Sequence, residues 1–144
     1  MVLYLDTSAL VKRYFREPYS DEVISRWHSA TQIATSTVAY SETMASVYRK
    51  KREADLADGL IRKIVASFHR DWATFIRVEV NDGLNEYIDR VVEGHSLGGF
   101  DAIHLASAIV IQEKLPENFV FACFDNRLTL AAQSEGLETF PPGK

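Results

Sequence analysis

Val2-Leu3-Tyr4-Leu5-Asp6 and Phe119-Val120-Phe121-Ala122-Cys123-Phe124-Asp125 decide the fold. Each is an apolar run built from aliphatic, β-branched or aromatic residues, and each closes on a carboxylate. Such runs are short strands buried on both faces, as a parallel sheet requires. Open α/β sheets place their active sites beyond the carboxyl ends of their strands. Asp6 and Asp125 therefore fall on the edge where chemistry is expected.

Two further acids reach that edge by separate routes. Gln32 to Ser36 reads as another strand, followed almost at once by a helix with Ser36 or Thr37 as its N-cap. Glu42 then lies within the first two helical turns, close to where the strand ended. Asp101 to Lys114 is helical in pattern and enters the Phe119 strand through the short loop 115–118. A short loop makes that helix antiparallel to the strand. At about 1.5 Å per helical residue and about 3.3 Å per strand residue the two lengths nearly match, which sets Asp101 beside Asp125.

Outward from these runs the chain alternates between strands and helices. Helices are expected at 8–15, 20–30 (Ser20 as cap), 38–51 and 54–72, then from Asn81 or Asp82 to Glu93, at 101–114 and at 127–134. Further strands are expected at 75–80 and 137–140. This order predicts one domain over residues 1–144, a three-layer α/β/α fold around a mostly parallel five-stranded sheet. A chain of 144 residues can bury a core of that kind.

Composition sets the outer limits. No apolar stretch is long enough to span a membrane, and Asp6 interrupts the first apolar run, so no secretory signal is read there. The lone Cys123 excludes an internal disulfide, fits a reducing cytoplasm and reads as a small core residue. The net charge of −4 argues against nucleic acid, yet setting the four candidate site acids aside leaves 16 basic and 16 acidic residues. Basic residues also cluster, as Lys12-Arg13 with Arg16 and as Arg49-Lys50-Lys51-Arg52. These clusters are either phosphate contacts to a nucleic acid or solvated helix faces.

Four gathered carboxylates need a reason. Two unit charges about 4 Å apart repel by about 4 kcal/mol at an effective dielectric near 20. Protonation or a hard cation relieves that repulsion. Oxygen donors without His or Cys favour magnesium or manganese over zinc. One or two such ions orient a water, lower its pKa and stabilise a phosphoryl group under attack. The chemistry that fits is phosphodiester hydrolysis. An acidic pocket of this kind also attracts a guanidinium or ammonium carried on a flexible peptide.

Leu3-Tyr4-Leu5-Asp6-Thr7-Ser8-Ala9-Leu10-Val11-Lys12 resembles the opening of PIN-domain nucleases, particularly the VapC-like toxins of type II toxin–antitoxin pairs. Phe100-Asp101-Ala102-Ile103-His104-Leu105-Ala106 resembles their second hallmark, and Phe124-Asp125-Asn126-Arg127-Leu128 their third. The resemblance implies a five-stranded parallel sheet, a magnesium- or manganese-dependent ribonuclease, a homodimer and neutralisation by a small antitoxin. It maps the acidic quartet onto Asp6, Glu42, Asp101 and Asp125, with Thr7 and Ser8 as hydroxyl support around the first acid. One departure is Gly98-Gly99, where many relatives carry a basic residue shortly before the third acid. That bears on local substrate contact and loop rigidity.

Competing readings are weighed on the same residues. Gly94-His95-Ser96-Leu97-Gly98 matches the G-x-S-x-G nucleophile elbow, which would make the chain a serine esterase acting through Ser96. The elbow needs a strand before it, and here a helix is expected; Asp101 and His104 are also too close together to serve as independent partners. A dehalogenase-type phosphatase would carry a second Asp two residues after the first, where this chain has Ser8. A non-catalytic PIN-like scaffold binding RNA or protein would lack one or more of the acids. His104 reads as a packed, satisfied histidine, and Trp27 and Trp72 as core. Asn126 could add an oxygen beside Asp125, although helix capping is its simpler role.

Overall fold

The structure, a computed structural model, describes residues 1–142. Its elements in chain order are β1 (Val2–Leu5), α1 (Thr7–Leu10), α2 (Ser20–Ser29), β2 (Gln32–Ser36), α3 (Val38–Ala54), α4 (Asp58–Trp72), β3 (Ile76–Val78), α5 (Asn85–Gly94), α6 (Gly99–Lys114), β4 (Phe119–Ala122), α7 (Asn126–Ser134) and β5 (Glu138–Phe140). All four strand pairings are parallel, and the order across the sheet is β3-β2-β1-β4-β5. β1 lies at the centre, with Leu5 in register with Ala122 of β4. The chain leaves β1 toward β2 on one side and later returns to β4 on the other. Asp6 and Asp125 thus sit above the point where the strand order reverses.

Alternation along the strands separates the two cores. Val2, Tyr4, Ala34, Phe119 and Phe121 face α5, α6 and α7, whereas Leu3, Leu5, Ile33, Val120 and Ala122 face α1 to α4. Both faces are covered, which is why β1 and β4 are apolar throughout. Leu3, Leu5 and Leu105 are fully buried, and each such side chain contributes roughly 1.5–3 kcal/mol. Trp27 and Trp72 pack against the second of these cores, in agreement with their reading as core residues.

Departures from the expected boundaries have local causes. The first helix stops at Leu10 and tightens into a 3-10 turn over Val11–Arg13, ahead of Glu17-Pro18. The α3–α4 turn takes Asp55 through a left-handed conformation (φ 50°), so α4 begins at Asp58 rather than Ala54. β4 ends at Ala122, because the Phe124 N–H turns away to the Ser8 hydroxyl. α6 starts at Gly99, which places Asp101 in its first turn. Tyr19, not Ser20, occupies the N-cap position of α2. Capping of α7 belongs to Asp125 rather than Asn126, since the Asp125 carboxylate reaches the Leu128 N–H at 2.9 Å.

Candidate active site

Asp6 is the N-cap of α1. Its Oδ1 accepts from the Ala9 N–H at 3.0 Å and from the Ser8 hydroxyl at 2.7 Å. Ser8 Oγ also accepts from the Phe124 N–H at 3.0 Å, so one hydroxyl joins the end of β1 to the segment that carries Asp125. Asp125 follows three residues after Ala122 and caps α7. Both acids are therefore fixed by the same local rule: a carboxylate at a strand end caps the helix that follows.

Glu42 projects from α3 toward the same edge. Its Oε1 accepts from Thr7 Oγ1 at 2.6 Å and lies 2.8 Å from His104 Nε2. His104 is 2% exposed, and its Nδ1 lies 2.9 Å from the Tyr4 hydroxyl. A carboxylate can only accept, so Nε2 carries a proton; in the neutral ring Nδ1 then accepts from Tyr4. Burial raises the Tyr4 hydroxyl well above its ordinary pKa, which keeps that proton in place. His104 is thus satisfied on both nitrogens. It is also the support of Glu42, a link that sequence reasoning missed. The signal was present: Tyr4 shares a strand face with Asp6, and His104 lies one helical turn after Asp101.

Electrostatics tie the four acids together. Burial pushes the Asp6 carboxyl up to about 6, opposed by His104, Ser8 and the Ala9 N–H, with the charge of Asp101 adding to the rise. Burial also raises Asp101; Asp125 and Glu42 add to it, while His104 and Arg127 oppose it. Glu42 differs. Burial works to raise it, but hydrogen bonds from His104 and Thr7 prevail and hold it below the usual carboxylate range. Asp6 Oδ2, Glu42 Oε2, Asp125 Oδ2 and both Asp101 oxygens accept no hydrogen bond among the described residues. The acids share an edge without converging on a point, for among those residues no three His, Cys, Asp or Glu side chains form a ready metal cage.

The remaining candidates are placed unevenly. Thr7 and Ser8 bond directly to Glu42 and Asp6. Asn126 is exposed at the start of α7 and makes no side-chain hydrogen bond among the described residues. Arg13 is engaged internally, with Nε 2.9 Å from Asp71 and its guanidinium over the Trp27 ring. Lys51 pairs with Asp58 at 3.1 Å, and Arg52 is exposed at the end of α3. Lys12, Arg49 and Lys50 line a cavity of about 520 Å³ together with Thr7, Ser8 and Glu42. A second cavity, of about 450 Å³, is bounded by β3, α5 and α6 and holds none of the four acids. Ser96 lies exposed in the loop between α5 and α6, with no strand before it, so the esterase geometry is absent.

Residues 3–133 match the PIN domain, and the chain belongs to that family. Ribonuclease VapC49 of Mycobacterium tuberculosis is 28% identical over 140 residues, covering 97% of this chain and 95% of that protein. Among solved structures, FitAcB from Neisseria gonorrhoeae superposes with a TM-score of 0.67 at 18% identity, covering 99% and 98% of the two chains. A toxin–antitoxin complex from Klebsiella pneumoniae gives 0.60 at 15% identity, covering 87% and 88%. At these identities the structural likeness speaks for the fold.

Proposed function

We propose that this chain is a divalent-metal-dependent endoribonuclease that hydrolyses RNA phosphodiester bonds, and that it is the toxin of a toxin–antitoxin pair. One observation carries the reading: carboxylates that follow β1 and β4, with others from α3 and α6, share the carboxyl edge of a parallel sheet, close enough that Asp101 raises the Asp6 carboxyl and Asp125 and Glu42 raise that of Asp101. Likeness to a protein named ribonuclease, over nearly the whole chain, points the same way.

The donor set suits magnesium or manganese, because every candidate ligand atom is a carboxylate oxygen and several have no protein donor. Asp6, Glu42, Asp101 and Asp125 would hold the ion. When bound, it supplies a water of lowered pKa and stabilises charge on the phosphoryl oxygens. The chain's own part is orientation. Ser8 holds Asp6, Thr7 and His104 hold Glu42, and the capping bond to Leu128 holds Asp125. Carboxylates held in this way are drawn toward a cation at little cost in reorganisation.

The same acidic edge would receive a basic C-terminal segment of a small antitoxin, and the likeness to a toxin–antitoxin complex supports such a partner. Val92, Phe100 and Leu130 are exposed on α5, α6 and α7, the three helices of one layer, and this face suits a homodimer. No helix among the described residues is long and apolar enough to cross a membrane. An RNA substrate and a free Cys123 fit the cytoplasm.

Brief expression in cells, with mapping of cleaved RNA ends, tests this function. Growth arrest with discrete new 5′ ends is expected, relieved by co-expression of the adjacent small gene. Uncut RNA and normal growth would contradict it.

A further inference from the structure

The cavity of about 520 Å³ beside Glu42 has a wall of opposite sign to the carboxylate edge. Lys12 is one-tenth exposed, with its ammonium 3.2 Å from Glu17 Oε1 and 4.5 Å from the centre of the Phe124 ring. Lys50 Nζ lies 2.5 Å from the other oxygen of Glu17. Glu17 thus holds two ammonium groups, one on each oxygen. Burial works to raise its carboxyl, and the two lysines override it and hold it below the usual range. Arg49 contributes a third cation; its Nη2 meets Ser46 Oγ at 3.3 Å, and it has no carboxylate partner among the described residues.

Three cations against two carboxylates, Glu17 and Glu42, leave the cavity lining positive by one charge, with the Thr7 and Ser8 hydroxyls beside them. A buried lysine is costly to keep unless paired, and Glu17 is the carboxylate that pairs Lys12 here. Lys50 and Arg49 come from α3, the helix that also carries Glu42, so the positive wall and the acidic edge are held in one rigid relation. A phosphodiester chain crossing from one to the other would meet complementary charge at successive positions.

We infer that this cavity is a subsite for a backbone phosphate of single-stranded RNA next to the one cleaved, bound by Lys12, Arg49 and Lys50, with Glu17 as the positioning residue that aligns the two lysines. The inference rests on the ribonuclease reading for its substrate, but its test is separate from cleavage. Removing one cation from a bound phosphate lowers the slope of log affinity against log salt by about 0.7 for a single strand. Glu17 is separable from a plain charge effect by direction. Glu17→Gln makes the chain more positive, so long-range attraction alone would tighten RNA binding, whereas misaligned lysines would weaken it.

The experiment measures binding of a short single-stranded RNA to full-length Asp101→Asn protein in EDTA, across a salt series. Lys12 is buried, so Lys50→Ala and Arg49→Ala carry the test, each checked by its melting curve. We expect roughly a three- to tenfold loss at low salt and a slope lower by about 0.7 in each. Lys50→Arg should restore both. Glu17→Gln should weaken binding and Glu17→Asp should restore part of it. An unchanged slope in both alanine variants, or tighter binding by Glu17→Gln, overturns the subsite. So does loss of antitoxin capture with RNA binding intact, which would assign the cavity to a protein interface. Failure of the wild-type chain to cut RNA would sink the ribonuclease reading and leave these binding results as they stand.

Discussion

His104 Nε2 lies 2.8 Å from Glu42 Oε1, and this contact joins α6, which carries Asp101, to α3 on the opposite face of the sheet. Behind it, the Tyr4 hydroxyl meets Nδ1 at 2.9 Å, so the imidazole is held from both sides within the core. Glu42 is therefore braced by a helix of the opposite layer as well as by Thr7.

That brace is testable by removal. His104→Ala should leave Glu42 with Thr7 as its remaining donor and raise the magnesium needed for half-maximal cleavage by about tenfold or more. Tyr4→Phe should be milder on cleavage and cost about 1–3 kcal/mol of stability, because a buried ring nitrogen loses its donor. Titration of cleavage against magnesium, with denaturant melts of both variants, checks the pair. Wild-type metal dependence in His104→Ala would remove the brace from the account.

Asp6 gives a pH dependence of unusual sign. The folded protein holds its proton to about pH 6, while the unfolded chain releases it near the ordinary value of 3.8. The folded state binds the extra proton across that interval, so this contribution to stability falls as pH rises. At neutral pH the cost is on the order of 3 kcal/mol. Asp6→Asn should raise the melting temperature in EDTA by several degrees at pH 7 and by much less at pH 4. A difference that stays constant from pH 4 to 7.5 would show that Asp6 does not carry it.

Ser96 should be chemically inert. It lies in the exposed loop between two helices, and both nitrogens of His104 are engaged elsewhere. Ser96→Ala is expected to retain RNA cleavage, and a fluorophosphonate probe should leave Ser96 unlabelled. Stoichiometric labelling would favour the hydrolase elbow.

Much of this architecture is legible in the sequence because the signals are local. The runs closed by Asp6 and Asp125 specify β1 and β4, and the short loop after Lys114 fixes the direction of α6. The carboxylates follow from those placements. What escaped is set by tertiary packing. Periodicity sets Tyr4 on the strand face of Asp6 and His104 one turn after Asp101, but the Tyr4–His104–Glu42 chain joins residues up to one hundred positions apart, and their pairing is set by packing. The basic runs also read alike in sequence, yet Arg13 is turned to Asp71 and Trp27 while Lys12 and Lys50 share Glu17. Asn126 gives up the capping role to Asp125 because the strand ends two residues early, which puts the carboxylate on the Leu128 N–H.

The most direct measurement is cleavage of a defined RNA by purified wild-type and Asp101→Asn protein, each with magnesium, with manganese and with EDTA. The account predicts metal-dependent cleavage by wild type, none in EDTA, and a loss of at least a hundredfold in Asp101→Asn with its fold retained. Asp101 is the acid with no protein hydrogen bond among the described residues, so its removal disturbs packing least. Full cleavage by Asp101→Asn, or cleavage by wild type undiminished in EDTA, would contradict the carboxylate-centred mechanism.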